Sequence, residues 1–269
     1  MNILLTNDDG YKSDGLMKLA KKLSEKHKVF IVAPDSNRSA VSHHYSMFNQ
    51  STIKKYEGNL WTCSGYPADC VFTGLAGALF PEKIDVVISG INYGPNMGTD
   101  IVYSGTCAAA RQATLQNYPA IALSIDPVSW EKAGKEGFKF DALIDFVDKN
   151  LEKLISLVKK DVPRAFVNVN GASLDSYKGA LLLDDICQRK YDDHLQLEAA
   201  DSVDVAENSK TADIKELETY KTRLVFGNNT TDSVEGQDYK VCRDGYIAVT
   251  RIYADPICCP SVDGVTFSL

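Results

Sequence analysis

Short apolar segments alternate with helical patterns along the first 170 residues, and this alternation constrains the fold more than any other feature of the chain. Strands that alternate with helices form a parallel sheet with helices on both faces. The chain is therefore predicted to be an α/β protein of three layers. The predicted strands are Ile3–Leu5, Val29–Ala33, Ile84–Ile88, Ala120–Ile125 and Ala165–Val169.

The predicted helices lie between these strands. Apolar residues recur at helical spacing over Leu16–Leu23 and over Phe140–Val158. Two segments rich in small residues, Pro67–Leu79 and Ser104–Leu115, are also predicted helices. Ligand sites in sheets of this kind lie at the carboxyl ends of the strands. The turns that follow strands are therefore where we expect the chemistry.

The pattern changes after about residue 171. Nine acidic residues and two lysines lie between Asp192 and Tyr220, which predicts an exposed acidic surface. Further on, Tyr246–Val249 and Ile252–Tyr253 predict a strand that returns to the core. We expect one domain over residues 1–269, with an α/β core over about 1–170 and an extension with a return strand over about 171–269.

Charge and composition exclude several classes of protein. The 269 residues carry a formal net charge of −7, so a duplex nucleic acid partner is not expected. No apolar run reaches the roughly 18 residues that cross a bilayer. The first residues lack the positive charges and the apolar length of a signal peptide. The seven cysteines form no C-x-x-C pair and suit a reducing compartment, so we expect a cytoplasmic protein with cysteines in its core.

The first turn, Asn7–Gly10, carries two adjacent carboxylates, Asp8 and Asp9. Adjacent carboxylates repel each other unless a cation lies beside them. This favours a cation site. The same residues are also good turn formers and could simply begin the next helix.

Two more polar segments follow predicted strands. Pro34–Ser39 offers hydroxyl groups and an arginine, while Ser89–Gly98 offers the neutral oxygens of Asn92 and Asn96, which suit a hard cation. The start of the helix at Ser104 has hydroxyls and free backbone N–H groups, which suit an anion. Alternatively, Ser104 or Thr106 caps the helix. A cation site and an anion site at one sheet edge suggest a phosphate ester bound to a metal.

Several motifs in order along the chain resemble the SurE family. The resemblance covers most of residues 1–170 and returns from Asp238 to Thr250. The motifs that carry it are Asn7-Asp8-Asp9-Gly10, Ala33-Pro34-Asp35-x-x-Arg38-Ser39, Gly65-x-Pro67-Ala68-Asp69-Cys70-Val71, Ser89-Gly90-Ile91-Asn92-x-Gly94-x-Asn96-x-Gly98, Tyr103-Ser104-Gly105-Thr106 and Val167-Asn168-Val169-Asn170.

The resemblance implies a Rossmann-like fold whose C-terminal extension exchanges between subunits of a homodimer or homotetramer. It implies a phosphatase that acts on nucleoside monophosphates with one divalent ion, Mg²⁺ or Mn²⁺, per subunit. The metal ligands that it implies are Asp8, Asp9, Ser39 and Asn92. The phosphate contacts that it implies are Asn96, Ser104, Gly105 and Thr106.

The expected reaction is attack of metal-activated water on a nucleoside 5′-monophosphate, and possible substrates include 3′-monophosphates. Asp8 is the candidate base, and Asn96 would aim the water or stabilise charge in the transition state. The alternative is a regulatory protein that binds metal and nucleotide without catalysis.

A receiver domain is excluded because the third predicted strand ends in Ser89-Gly90 rather than in an aspartate. A haloacid-dehalogenase-type phosphatase is excluded because Asp8-Asp9-Gly10 lacks the Asp-x-Asp motif.

Overall fold

The structure is a computed structural model that describes residues 1–46, 48–76, 79–158, 164–199, 220–227 and 229–257. Its strands are β1 (Asn2–Thr6), β2 (Lys28–Pro34), β3 (Ile53–Lys55), β4 (Leu60–Cys63), β5 (Val86–Tyr93), β6 (Ala120–Asp126), β7 (Ala165–Ala172), β8 (Ala180–Leu183), β9 (Gln188–Lys190), β10 (His194–Ala199), β11 (Tyr220–Val225), β12 (Thr230–Asp232) and β13 (Ile247–Tyr253). Its helices are α1 (Asp14–Leu23), α2 (Pro67–Ala76), α3 (Gly105–Leu115), α4 (Trp130–Glu136), α5 (Asp141–Ser156) and α6 (Asp238–Arg243), with a short 3-10 helix at Gly98–Val102.

The chain divides into a first unit, residues 1–187 with those from 233 onward, and a second unit, residues 188–232. The first unit contains a nine-stranded sheet in the order β3-β4-β2-β1-β5-β6-β7-β13-β8. The six strands from β4 to β7 are parallel, whereas β3 and β13 run antiparallel to their inner neighbours. The predicted α/β class with a mostly parallel sheet is confirmed.

Helices cover both faces of this sheet. Consecutive side chains of a strand point to opposite faces, so each strand contributes apolar residues to both layers of helices. Ile3 and Leu5 of β1 pack in one apolar cluster with residues of α1 and α5. Leu4, between them, packs in a second cluster with residues of α2 and α3. The uniformly apolar strands are therefore explained by burial on both sides, as is usual in parallel sheets.

The predicted end of the third strand was wrong. We expected it to end at Ser89-Gly90, but β5 continues to Tyr93 with a shift in its pairing to β6 between Ser89 and Asn92. Gly90 makes the shift possible, because its φ is +131° and a Cβ there would lie 2.3 Å from the carbonyl oxygen of Leu123. Asn92 consequently lies on a strand and not in a loop.

The C-terminal part of the chain contains both confirmed and missed elements. The predicted return strand is confirmed as β13, which pairs antiparallel with β7. In its described residues, the second unit contains two small antiparallel sheets, β10 with β11 and β9 with β12, and none of these strands was predicted. Residues 200–219 of the acidic segment lie outside the described residues.

Five cysteines are free and buried, as predicted for small core residues, while Cys258 and Cys259 lie outside the described part of the chain. Among the described helices, none combines the length and the apolar character that crossing a membrane requires.

Candidate metal and phosphate site

The carboxyl ends of β1, β2 and β5 meet at one edge of the sheet, because these neighbouring strands are parallel. The turn after β1 is shaped by Asn7, whose amide donates to the carbonyl oxygen of Gly10 at 2.9 Å and to the hydroxyl of Ser13 at 2.7 Å. The same side chain accepts from the N–H of Gly10 at 3.2 Å. Asn7 thus holds the turn that carries Asp8 and Asp9.

Asp8 is buried against the first turn of α3. Its carboxylate accepts a hydrogen bond from the Thr106 hydroxyl at 2.5 Å and another from the Thr106 N–H at 3.1 Å. A Cβ on Gly105 would lie 2.8 Å from the Asp8 Cβ and 3.2 Å from Cγ of Pro67. Glycine at position 105 is therefore what allows the start of α3 to approach Asp8.

Asp9 is half-buried beside β5, where it accepts from the Tyr93 N–H at 3.1 Å. Burial and the charge of Asp8 raise the pKa of Asp9 from 3.8 to about 7. Burial also raises the pKa of Asp8, although the hydrogen bonds from Thr106 oppose this shift. Among the described residues, neither carboxylate forms an ion pair with a lysine or an arginine. Within the part of the chain that the structure describes, this pair of carboxylates therefore has no lysine or arginine as a partner.

The two neutral residues expected beside this pair differ in their surroundings. Asn92 is buried on β5 and donates its amide N–H to the carbonyl oxygen of Gly94 at 2.9 Å, so the amide oxygen is its remaining acceptor. Ser39 is exposed, and its backbone N–H donates to the side chain of Asn37 at 2.9 Å. The loop of Ser39 is joined to the carboxylate turn, because the Arg38 N–H donates to the Asp8 carbonyl at 2.7 Å.

The donor set at this edge has the chemistry that hard cations prefer. Within the described residues, no three His, Cys, Asp or Glu side chains gather as a metal cluster. A cation here would consequently depend on two carboxylates and on neutral oxygens. All-oxygen ligands suit Mg²⁺ and Mn²⁺, whereas Zn²⁺ prefers imidazole and thiolate ligands.

The start of α3 is already occupied by groups of the protein. Ser104 caps the helix, because its hydroxyl oxygen accepts from the Cys107 N–H at 2.9 Å. Thr106 gives both its hydroxyl and its N–H to Asp8. The capping role that we considered for Ser104 is therefore confirmed.

These features can be compared with known proteins. A sequence model of the family described as "Survival protein SurE" matches residues 3–193. The chain belongs to the SurE family. The family resemblance seen in the motifs is thereby confirmed.

Relatives of this SurE chain match it over long stretches. A protein of Treponema pallidum named "5'-nucleotidase SurE" is 45% identical over 183 residues, which cover 67% of this chain and 95% of that protein. One of Thermosipho africanus with the same name is 34% identical over 260 residues, which cover 94% of this chain and 91% of that protein. The crystal structure of the SurE protein from Aquifex aeolicus superposes with a TM-score of 0.71 at 29% identity, covering 95% of this chain and 94% of the other.

Asn96 of this SurE chain lies in a buried network of amides with Asn168 and Asn170. No role was predicted for these two partners from the sequence. The N–H of Asn96 donates to Asn170 at 2.8 Å, and its side chain donates to the Ser124 hydroxyl at 2.8 Å. Its carbonyl accepts from Asn168 at 2.9 Å and from Asn170 at 3.0 Å. The available signal was the pair of asparagines two residues apart in an otherwise apolar strand, which places both on one face.

Two further residues outside the predicted set hold the site together. The Arg38 guanidinium donates to the carbonyls of Ser64 at 2.9 Å and Gly65 at 3.3 Å, which ties the Ser39 loop to the turn before α2. Asp238 is fully buried and accepts from the Gly98 N–H at 2.8 Å. Asp238 therefore fixes the end of the loop that carries Asn96, a contact across 140 positions that no local pattern could predict.

Proposed function

We propose that this chain is a nucleotidase that hydrolyses nucleoside 5′-monophosphates with one divalent ion, Mg²⁺ or Mn²⁺, per subunit. Asp8, Asp9, Ser39 and Asn92 would hold the ion. The observation that carries the proposal is the carboxylate pair at the sheet edge, with Asp8 buried and Asp9 half-buried, which has no cationic partner among the described residues. Relatives named "5'-nucleotidase SurE" support the choice of substrate.

When bound, a divalent ion would polarise the phosphoryl group and lower the pKa of a coordinated water. The protein's own part is to bind and orient the substrate phosphate. The Ser104 hydroxyl, whose oxygen caps α3, would donate to it after turning away from the neighbouring Cys107 thiol. Asn96 can donate as well, because an amide nitrogen carries two hydrogens and Ser124 accepts one of them.

Thr106 and Gly105 are proposed phosphate contacts at the first turn of α3. The Thr106 hydroxyl donates to Asp8, so it would reach a phosphate oxygen only after releasing this carboxylate. Gly105 keeps the backbone close to the site because it has no side chain. We propose Asp8 as the base and Asn96 as the residue that aims the water or stabilises charge in the transition state.

The proposal also includes properties that the names of the relatives do not mention. It includes activity on 3′-monophosphates, a cytoplasmic location and a homodimer or homotetramer in which C-terminal extensions exchange. Free buried cysteines support a reducing compartment. The net charge of −7 favours a small substrate over duplex nucleic acid.

The test is phosphate release from adenosine 5′-monophosphate with Mg²⁺, with Mn²⁺ and with a chelator, for the wild-type protein, Asp9→Asn and Glu57→Gln. Glu57 is the matched control, since it is exposed in the turn before β4 at the opposite edge of the sheet. We expect metal-dependent release that only Asp9→Asn abolishes. Release that survives the chelator, or an Asp9→Asn protein with wild-type activity, would overturn the metal assignment. Nucleotide binding without release would favour the regulatory alternative.

A further inference from the structure

The proposed phosphate site has an exposed aromatic side chain beside it. Trp130, the first residue of α4, is 63% exposed, which is unusual for the largest apolar side chain. A Cβ on Gly94 would lie 3.2 Å from Cη2 of the indole and 3.4 Å from its Cζ2. The edge of the ring therefore contacts the backbone of Gly94 and leaves most of the indole accessible.

This contact brings the indole close to the proposed metal ligands. Gly94 accepts a hydrogen bond from the side chain of Asn92 at 2.9 Å. The neighbouring Tyr93 donates its N–H to Asp9 at 3.1 Å. The indole therefore lies beside Gly94, which contacts Asn92, and Gly94 follows Tyr93, which contacts Asp9. Asn92 and Asp9 are two of the four proposed metal ligands.

The loop that presents Trp130 is held in place. Val128 has a φ of +63°, which is rare for a β-branched residue and needs support from its surroundings. That support comes from Asp126, which accepts from the Val128 N–H at 2.9 Å, and from Arg243, which donates to the Val128 carbonyl at 3.0 Å. Phe138 packs edge-on against the indole with ring centroids 6.1 Å apart. A supported loop holds an aromatic surface without a large loss of entropy on binding.

We propose that Trp130 is a specificity-determining residue that stacks on the nucleobase of the substrate. This inference rests on the proposed function, because it requires the phosphate to bind near Asn92 and Asp9. Every nucleobase has a π-face that stacks on an aromatic side chain. Stacking would favour nucleotides over phosphate esters that have no base, while it would not select one base strictly.

The first test compares kcat/KM for adenosine 5′-monophosphate and for ribose 5-phosphate in the wild-type protein, Trp130→Ala, Trp130→Phe and Tyr253→Ala. Tyr253 is an exposed aromatic that pairs with Ala165 at the start of β7, the opposite edge of the sheet. We expect Trp130→Ala to lower kcat/KM for the nucleotide about 10-fold or more, mainly through KM, and to spare ribose 5-phosphate. Trp130→Phe should retain most of the preference, and Tyr253→Ala all of it. An unchanged preference in Trp130→Ala would overturn the inference.

The second test measures binding by tryptophan fluorescence in a stopped-flow instrument, before turnover, with Mg²⁺ present. The chain has two tryptophans, and the other one, Trp61, is buried. We expect adenosine 5′-monophosphate to quench the wild-type protein and not Trp130→Phe, while ribose 5-phosphate quenches neither. Quenching without hydrolysis would support the stacking and overturn the proposed nucleotidase activity. Hydrolysis without quenching would overturn the stacking alone.

Discussion

Two strands of this molecule, β6 and β10, show how differently its two units are built. Every residue of β6 in the first unit is buried, whereas every residue of β10 in the second unit is exposed. The sequence of β6 is almost uniformly apolar, because helices cover both faces of its sheet. The sequence of β10 alternates, and its Leu195 and Leu197 are 61% and 62% exposed.

The two units differ in how they bury apolar surface. The first unit buries its central strands, including β1, β2, β5, β6 and β7, and brings polar turns together at one edge, whereas β3 and β8 at the sides of its sheet are largely exposed. In the second unit, β10 pairs with β11 so that Leu195 lies opposite Leu224, and both leucines are exposed. A two-stranded ribbon is only marginally stable in water without additional packing. We therefore place the proposed catalytic site in the first unit and propose that the second unit takes part in the subunit contact of the homodimer.

The largest expected effect is on the rate of nucleotide hydrolysis, when a carboxylate is removed from the first unit rather than from the second. We expect Asp8→Asn to lower the rate of nucleotide hydrolysis by roughly 1,000-fold or more, on the order of 4 kcal/mol, because the metal site loses a charge. The fold should survive, since an amide can still accept from the Thr106 N–H. Glu198→Gln on β10 should keep wild-type activity. Equal rates for all three proteins in a phosphate-release assay would break the comparison.

The next effect concerns packing. Leu5 is fully buried, and we expect Leu5→Ala to cost about 2–5 kcal/mol of unfolding free energy, measured by urea denaturation. Leu197→Ala should cost less than about 0.5 kcal/mol when the protein is dilute enough to be monomeric. Because β10 belongs to the proposed subunit contact, we expect this cost to grow with protein concentration, and a cost that stays small at every concentration would remove β10 from that contact.

Two glycines of the first unit, Gly105 and Gly134, differ in the space that an added Cβ would have. Gly105→Ala should cost about 1–3 kcal/mol, because its Cβ collides with Asp8 and with Pro67. Gly134 lies inside α4 with nothing within 4 Å of an added Cβ, so Gly134→Ala should stabilise the protein by roughly 0.5–1 kcal/mol. Thermal melts of both variants test this, and equal shifts would contradict the close approach at α3.

The stability of the metal-free protein should also depend on pH. The pKa of Asp9 rises from 3.8 to about 7 on folding, so the folded protein holds the proton more tightly than the unfolded chain. The contribution of Asp9 to stability must therefore fall as the pH rises through that interval. We expect the stability difference between the wild-type protein and Asp9→Asn, measured in chelator, to become less favourable to the wild type between these pH values. A difference independent of pH would show that the Asp9 carboxyl is not perturbed.

Much of the first unit could be predicted from the sequence, because apolar periodicity and turn residues act locally. The turn with Asp8 and Asp9 and the helix start at Ser104 were located in this way. The continuation of β5 through Asn92 was missed, since its pairing depends on the close approach of Gly90 to Leu123. The strands of the second unit were not predicted, because the alternation of Leu195 and Leu197 is short and lies in a strongly acidic segment that favours an exposed surface.

The contacts of Asn96 and Gly98 could not be predicted for a different reason. Asn170 and Asp238 reach them from strands and helices far along the chain, and only the folded topology brings these groups together. Local patterns therefore located the turns and the helix start that carry the candidate site, while the groups that hold them in place required the structure.

The proposed metal site is tested most directly by the binding of Mn²⁺, measured by isothermal titration calorimetry on the wild-type protein and on the double variant Asp8→Asn, Asp9→Asn. We expect one ion per chain for the wild-type protein and none for the double variant. A wild-type protein that binds no Mn²⁺, or a double variant that binds it equally well, would contradict the proposed site.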